Sequence, residues 1–375
     1  MAVKILQGDC RDVLKTLPSE SVHTVVTSPP YWRQRDYGMA GQLGLESTPE
    51  EYIDKLTAIF AECRRILRTD GTCWVNLGDK WASGGNGGGG SFMEDRGEAW
   101  AHAKNSKGWR SPPTGYKDKD LVGVPWMLAF AMRAEGWYLR QCNIWAKPNG
   151  MPESARDRST ASHEYVFQFA KNNVYWYDTD AARTPPAPAT ETRLAQNVEA
   201  QGGSARANGG AKTNGPMKAV RRSDKQRGHT RKHEGFNDRW DKMERSEQQA
   251  NGANLRSVWW ISPAQYRDGH YAVMPDALAE ICIIAGCPAG GTVLDPFFGA
   301  GTTGVVADRL QRSCIGIELN ETYAAMAAER IRKDGGFFSD VSVGDARAPC
   351  GTADTAQSDC FADLQDQPTQ TLERA

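Results

Sequence analysis

The sequence predicts an α/β fold in which a mostly parallel sheet carries helices on both faces. Three observations predict it. Strand-like and helix-like segments alternate over most of the 375 residues, the order from which parallel sheets are built. Residues 22–27, Val-His-Thr-Val-Val-Thr, are largely apolar, as a strand covered on both faces must be. A glycine turn, Gly299-Ala300-Gly301, joins a strand ending at Asp295 to a helix, the place where such sheets bind ligands.

Residues 4–8 read as a strand and residues 10–17 as a helix with Val13, Leu14 and Leu17 on one face. Residues 22–27 form the second strand. Over 49–67, Tyr52, Ile53, Leu56, Ile59, Phe60, Cys63 and Leu67 recur at helical spacing. A strand over 71–77 runs into Asn76-Leu77-Gly78-Asp79. Residues 83–91 are nearly all glycine, a backbone too free to hold one conformation without a partner, and read as a mobile loop. A helix over 124–135 precedes strands over 138–145 and 164–171. Apolar periodicity then fades from 185 to about 256, where residues 206–232 carry nine Lys and Arg against one acid, Asp224. Order resumes with a helix over 275–287 and a strand over 292–294. The glycine turn follows, then a helix over 304–310, a strand over 314–319 and a helix over 323–332. After about residue 349 the composition is that of a disordered tail.

A net charge of −1 gives no general affinity for polyanions, so any nucleic-acid surface must be local. The nine cysteines show no CxxC pair and no Cys/His metal spacing, which predicts a reducing interior without disulfides or structural zinc. The apolar start, Met1 to Leu6, is too short for a signal peptide, and no stretch approaches the ~20 apolar residues of a membrane helix. The expectation is a soluble, cytoplasmic protein.

Two motifs carry chemistry. Thr27-Ser28-Pro29-Pro30-Tyr31-Trp32 ends the second strand. Consecutive prolines fix φ and lack N–H groups, so the carbonyls of Ser28 and Pro29 are held in place while Tyr31 projects as a flat ring. Ser28 Oγ and the Pro29 carbonyl could accept the hydrogens of an exocyclic amino group on a nucleobase, with Tyr31 stacking on the base for ~1–3 kcal/mol. A proline turn closing a strand is the plainer reading. In the second motif, Gly299 and Gly301 let a ligand approach the backbone and meet free N–H groups. Glu318, at the end of the next strand, is placed to accept ribose hydroxyls. The alternative is a plain strand-to-helix turn. Nucleotide folds usually present the glycine turn first; here it comes last.

With these residues in view, the chain resembles the amino-group DNA methyltransferases that use S-adenosylmethionine, specifically the permuted β group in which the catalytic motif precedes the target-recognition region and the cofactor motif comes last. Asp295-Pro296-Phe297-Phe298-Gly299-Ala300-Gly301 is similar to the family's DPFxGxG motif, and His270-Tyr271-Ala272-Val273-Met274-Pro275 to its HFAxFP segment. Gly8-Asp9 matches the family's GD pair, and Trp145-Ala146-Lys147-Pro148-Asn149 and His163-Glu164-Tyr165 also resemble family segments. The resemblance implies a Rossmann-like, mostly parallel, seven-stranded sheet, circularly permuted, with an inserted target-recognition region. It implies that Asp9, His270, Asp295, Phe297, Gly299, Gly301, Thr302 and Glu318 hold S-adenosylmethionine, with Asp9 near the adenine; Val343-Gly344-Asp345 is a second candidate for that role. No metal is implied.

The domains expected are a catalytic half over 1–180, a basic, partly disordered recognition insertion over 181–260, a cofactor half over 261–348 and a tail over 349–375. Ser28, Pro29, Pro30 and Tyr31 are the expected catalytic residues, with Asp79 either orienting Ser28, taking the proton, or bonding nearby backbone. The first motif residue in the family is usually Ser in enzymes acting on N4 of cytosine and Asp or Asn in those acting on N6 of adenine. Ser28 therefore favours cytosine, with adenine as the alternative. Transfer is expected to be direct, onto a base flipped out of the duplex. C5 methylation would need a nucleophilic Cys, and the only Pro-Cys, Pro349-Cys350, falls in the tail. Arg221, Arg222, Lys225, Arg227, Arg231 and Lys232 are the candidate phosphate contacts on double-stranded DNA; a solvated insertion is the plainer reading. A cognate restriction endonuclease is a further expected partner, the source is bacterial or phage, and the protein is a monomer or homodimer. An RNA or protein-amide methyltransferase and a non-catalytic DNA-binding relative are the other classes considered.

Overall fold

The structure, a computed structural model, describes residues 1–82, 115–150, 152–185, 252–264, 273–336 and 339–345. The chain divides into two compact units, Met1–Asp178 with Arg256–Ala375, and Thr179–Leu255. The second unit shows among its described residues one antiparallel bridge, Thr184 with Ala253. The glycine loop, the basic residues 206–232 and the tail lie outside the described residues.

In the first unit the strands are β1 (Ala2–Gln7), β2 (Val22–Thr27), β3 (Leu67–Leu77), β4 (Trp81–Ala82), β5 (Asp120–Leu121), β6 (Tyr138–Ala146), β7 (His163–Ala170), β8 (Val258–Trp260), β9 (Thr292–Asp295), β10 (Ser313–Glu318) and β11 (Asp340–Asp345). The helices are α1 (Cys10–Thr16), α2 (Pro49–Ile66), α3 (Val124–Ala134), α4 (Asp276–Gly286), α5 (Thr302–Arg309) and α6 (Glu321–Gly335). Local chemistry sets the helix starts. Asp9 caps α1 by accepting the Arg11 N–H, Asn320 caps α6 by accepting that of Thr322, and Thr48 caps α2 by accepting that of Glu51, with Pro49 in the first turn. The buried face of α2 contains Tyr52, Ile53, Leu56, Ile59, Phe60 and Cys63, as the periodicity predicts.

One sheet runs in the order β11-β1-β10-β9-β2-β3-β7-β6-β8, and β4 pairs separately with β5. Within the large sheet β7 runs antiparallel to both its neighbours, and every other pairing is parallel. The expectation of seven strands is corrected to nine among the described residues. The additions are the edge strands β11 and β8, too short or too polar to stand out by pattern. Val258–Trp260, within the range expected for the insertion, pairs with β6 as β8, and the second unit ends at Leu255.

The topology brings the two motifs together. β9 lies between β10 and β2, with Thr24 opposite Val293 and Val25 opposite Leu294. Thr27 and Asp295, 268 residues apart, share a hydrogen bond. β1, from the start of the chain, pairs with β10 and β11 from its end.

Candidate active site

The ends of β1, β2, β3, β9 and β10 open into a cavity of about 520 Å³, within the range of small-molecule sites. Its lining includes Asp9, Ser28, Tyr31, Phe297, Gly299 and Glu318.

On the cofactor side, Gly299 and Gly301 adopt φ of 52° and 75°, the left-handed region that glycine enters without strain. Behind the turn Phe298 is buried against Gly316, where an added Cβ would overlap the ring. Asp295 is buried and accepts hydrogen bonds from Thr27 Oγ1, Thr303 Oγ1 at 2.7 Å and the Phe297 N–H at 3.0 Å. Burial pushes its carboxyl up to about 6, although all three bonds pull it down. Asp295 thus clamps the glycine turn to Thr27, the last residue of β2, just before Ser28. Glu318 Oε2 accepts the Gly299 N–H at 2.7 Å and Oε1 that of Asn320 at 2.8 Å. A carboxylate has about four acceptor positions, so Glu318 retains capacity toward the cavity it lines; burial raises its pKa. Thr302 lines the cavity and accepts from Arg330 Nη1 at 2.9 Å. Asp9 also lines the cavity, capping α1 and paired with Arg11; burial raises its pKa, but the bonds and charge of Arg11 outweigh this and lower it. Asp345 ends β11, one strand farther out. A turn that needs glycine, with an acid at the end of the adjacent strand, fits an adenosine-type ligand.

On the catalytic side, Pro29 and Pro30 line the cavity beside Ser28, and the Pro30 carbonyl accepts the Tyr52 hydroxyl at 2.7 Å. Ser28 Oγ donates to Asn76 Oδ1 at 3.4 Å. The Tyr31 hydroxyl lies 3.1 Å from the same oxygen and also bonds Glu164 Oε2. Asn76 Nδ2 donates to Glu164 Oε2 at 3.1 Å and to the Tyr165 carbonyl at 3.2 Å. Glu164 Oε1 pairs with Lys147, whose ammonium lies 4.4 Å from the centre of the Trp145 ring. Burial, then the Glu164 carboxylate, raises the pKa of Tyr31 well above that of a free phenol. Gly78 borders this cluster, with 2.8 Å between an added Cβ and Tyr31 Cε2.

Asp79 bonds nearby backbone, the third of its expected readings. Its Oδ1 accepts the N–H groups of Lys80, Gly123 and Val124 at 2.8, 3.0 and 3.1 Å, closing the start of α3. Gly123 there is left-handed and offers no side chain as a cap, so the carboxylate takes that task. Asn76, three residues earlier on β3, is the group bonded to Ser28. Sequence reasoning assigned no role to Asn76, Lys147 or Glu164. Segments 145–149 and 163–165 supplied a signal, but not which side chain reached the site. His270 and the six basic residues Arg221, Arg222, Lys225, Arg227, Arg231 and Lys232 lie outside the described residues, while Val273 and Met274 beside His270 line the cavity.

Residues 22–329 match the DNA methylase family of N6/N4 methyltransferases. The chain is 40% identical over 329 residues to the type II methyltransferase M.SmaI of Serratia marcescens, covering 88% of this chain and 90% of that protein. It is 38% identical over 328 residues to the type II methyltransferase M.XycI of Xanthomonas campestris pv. cyanopsidis, covering 88% and 87%. Among solved structures, it resembles a DNA modification methylase of Thermus thermophilus, TTHA0409, complexed with S-adenosyl-L-methionine, with a TM-score of 0.54, 21% identity and coverage of 94% and 100%. It also resembles the cytosine-N4-specific PvuII DNA methyltransferase, with a TM-score of 0.53, 17% identity and coverage of 92% and 95%. These two structures bear on the fold.

Proposed function

The chain belongs to the DNA methylase family and is a type II DNA methyltransferase, and from that premise we propose that it methylates the exocyclic N4 amino group of cytosine at a specific site in double-stranded DNA. S-adenosylmethionine is the cofactor, and when bound it supplies an electrophilic methyl group. Glu318, Gly299, Phe297, Thr302 and Asp9, which line the cavity, are the residues that would hold it, with Gly301 completing the left-handed turn.

The observation that carries the reading is the polarity of Ser28. The Asn76 amide nitrogen is engaged by the Tyr165 carbonyl and Glu164, which turns its oxygen toward Ser28. A hydroxyl that donates to Asn76 keeps its lone pairs free to accept a hydrogen from an amino group. The rigid Pro29 carbonyl supplies a second acceptor, and the Tyr31 ring a stacking surface. Ser at the first motif position favours cytosine over adenine within the family that the residues resemble. A base paired inside a duplex cannot reach this cavity, so the target is flipped out, costing a few kcal/mol.

The test is expression in a methylation-free host, followed by mass spectrometry of the digested DNA. N4-methylcytosine is the expected product. N6-methyladenine alone would overturn the base assignment, and no methylated base would overturn the reading.

A further inference from the structure

Building on the proposed amino-methyl transfer, we propose that Glu164 is the final acceptor of the proton lost by the target amino group, delivered from Ser28 Oγ through the Tyr31 hydroxyl. Three arrangements support this. The Ser28 and Tyr31 hydroxyls converge on one acceptor, Asn76 Oδ1, at 3.4 and 3.1 Å, which holds them side by side at the cavity wall. The Tyr31 hydroxyl ends on Glu164 Oε2, and a ring required only for stacking would have no need of a carboxylate there. The other Glu164 oxygen is ion-paired with Lys147, so the acceptor is balanced by a neighbouring cation, and the Glu164 side chain is only 14% exposed. Asp79, the carboxylate close in sequence, is occupied by three backbone N–H groups.

The same geometry accounts for the direction of transfer. Burial, then the Glu164 carboxylate, opposes loss of the Tyr31 proton. The phenol therefore stays neutral until it gains one proton as it gives up another. The amino nitrogen forms its bond to the methyl carbon with its lone pair, and the cofactor sulfur keeps the electrons of the broken carbon–sulfur bond. The nitrogen keeps the electrons of the broken N–H bond while that proton passes to Ser28 Oγ. The Ser28 proton moves to Tyr31 Oη and the Tyr31 proton to Glu164 Oε2. Ser28 and Tyr31 end as they began, and Glu164 ends protonated beside Lys147.

Full-length wild type, Tyr31→Phe and Glu164→Gln would be compared in single turnovers on unmethylated genomic DNA with radiolabelled cofactor, in H2O and D2O. Phe keeps the stacking ring and Gln keeps an acceptor for Tyr31, but neither variant completes the relay. Both are expected to slow transfer about 100-fold, in the range of lost general acid–base catalysis, with cofactor affinity by calorimetry and apparent KM for DNA unchanged. Wild type should run measurably slower in D2O, and both variants should lose that effect. A purely positional Glu164 would slow transfer while leaving the isotope effect intact, and that result, or wild-type rates in either variant, overturns the relay. If Glu164→Gln fails to bind cofactor, Tyr31→Phe decides by the same criteria. Wild type that methylates adenine moves the base assignment and leaves the relay standing, whereas wild type that methylates nothing removes the reading on which it rests.

Discussion

Gly316 illustrates how a single hydrogen can decide a site. It lies within β10, and the Phe298 ring occupies the space a side chain would need. Gly304 meets the same ring, 2.6 Å from an added Cβ. Gly316→Ala must push Phe298 into the turn and is expected to cost about 1–3 kcal/mol of stability and to weaken cofactor binding, measured by thermal unfolding and calorimetry. Gly316→Ala with Phe298→Leu should recover part of both. His23 gives a second prediction. Its Nδ1 accepts the Thr292 N–H at 3.0 Å, and burial, then Arg68, pushes the imidazole down to about 4. The unfolded chain then binds protons more readily than the folded one, so this group's contribution is full above about 6.5 and lost as pH falls towards 4, by about 3 kcal/mol. Asp295, raised to about 6, has the opposite sign: its contribution is full below about 4 and lost as pH rises through 6. The comparison must therefore be between proteins. His23→Gln should gain stability relative to wild type as pH falls from 6.5 to 4 in urea titrations, and parallel pH curves would contradict it.

At the scale of elements, two side chains near the end of β3, three residues apart, bond different groups. Asn76 faces Ser28 and Tyr31, while Asp79 closes the start of α3. Asp79→Ala removes a helix-terminal acceptor and should cost about 1 kcal/mol of stability, with transfer per cofactor-bound enzyme near wild type. Asn76→Ala should do the reverse, lowering kcat far more than melting temperature. Equal loss of turnover in the two variants would instead favour a catalytic Asp79. Most elements were legible in the sequence because helical spacing and apolar runs are local signals. β8 was not, since three residues show no period, and β11 was missed because Asp340-Val341-Ser342-Val343 alternates weakly before Gly344. The start of β3 at Leu67 was hidden because α2 runs directly into it.

For the whole molecule, the reversed order of motifs is a statement about chain connectivity. Ser28 directly follows β2 and Asp295 ends β9, and these strands are adjacent however far apart they are in sequence. Sheet adjacency depends on pairing and leaves the order of segments free. No helix among the described residues is long and apolar enough to cross a membrane. With a net charge of −1, DNA affinity must come from a local basic surface, for which residues 221–232 are proposed. Replacing Arg221, Arg222, Lys225, Arg227, Arg231 and Lys232 by Gln should weaken DNA binding and flatten its dependence on salt, with cofactor affinity unchanged. An unchanged salt slope by fluorescence anisotropy would place the phosphate contacts elsewhere.

The sequence by itself determined the class of sheet, the cofactor turn and the proline shelf, because glycine, proline and apolar periodicity act on the backbone within a few residues. Only the tertiary structure decided which acid meets which group: Glu164 the Tyr31 hydroxyl, Asp79 the backbone at the start of α3. Tyr31 meets Asn76 across 45 residues and Glu164 across 133. Hydrogen bonds of that span depend on strand order, which no local pattern encodes.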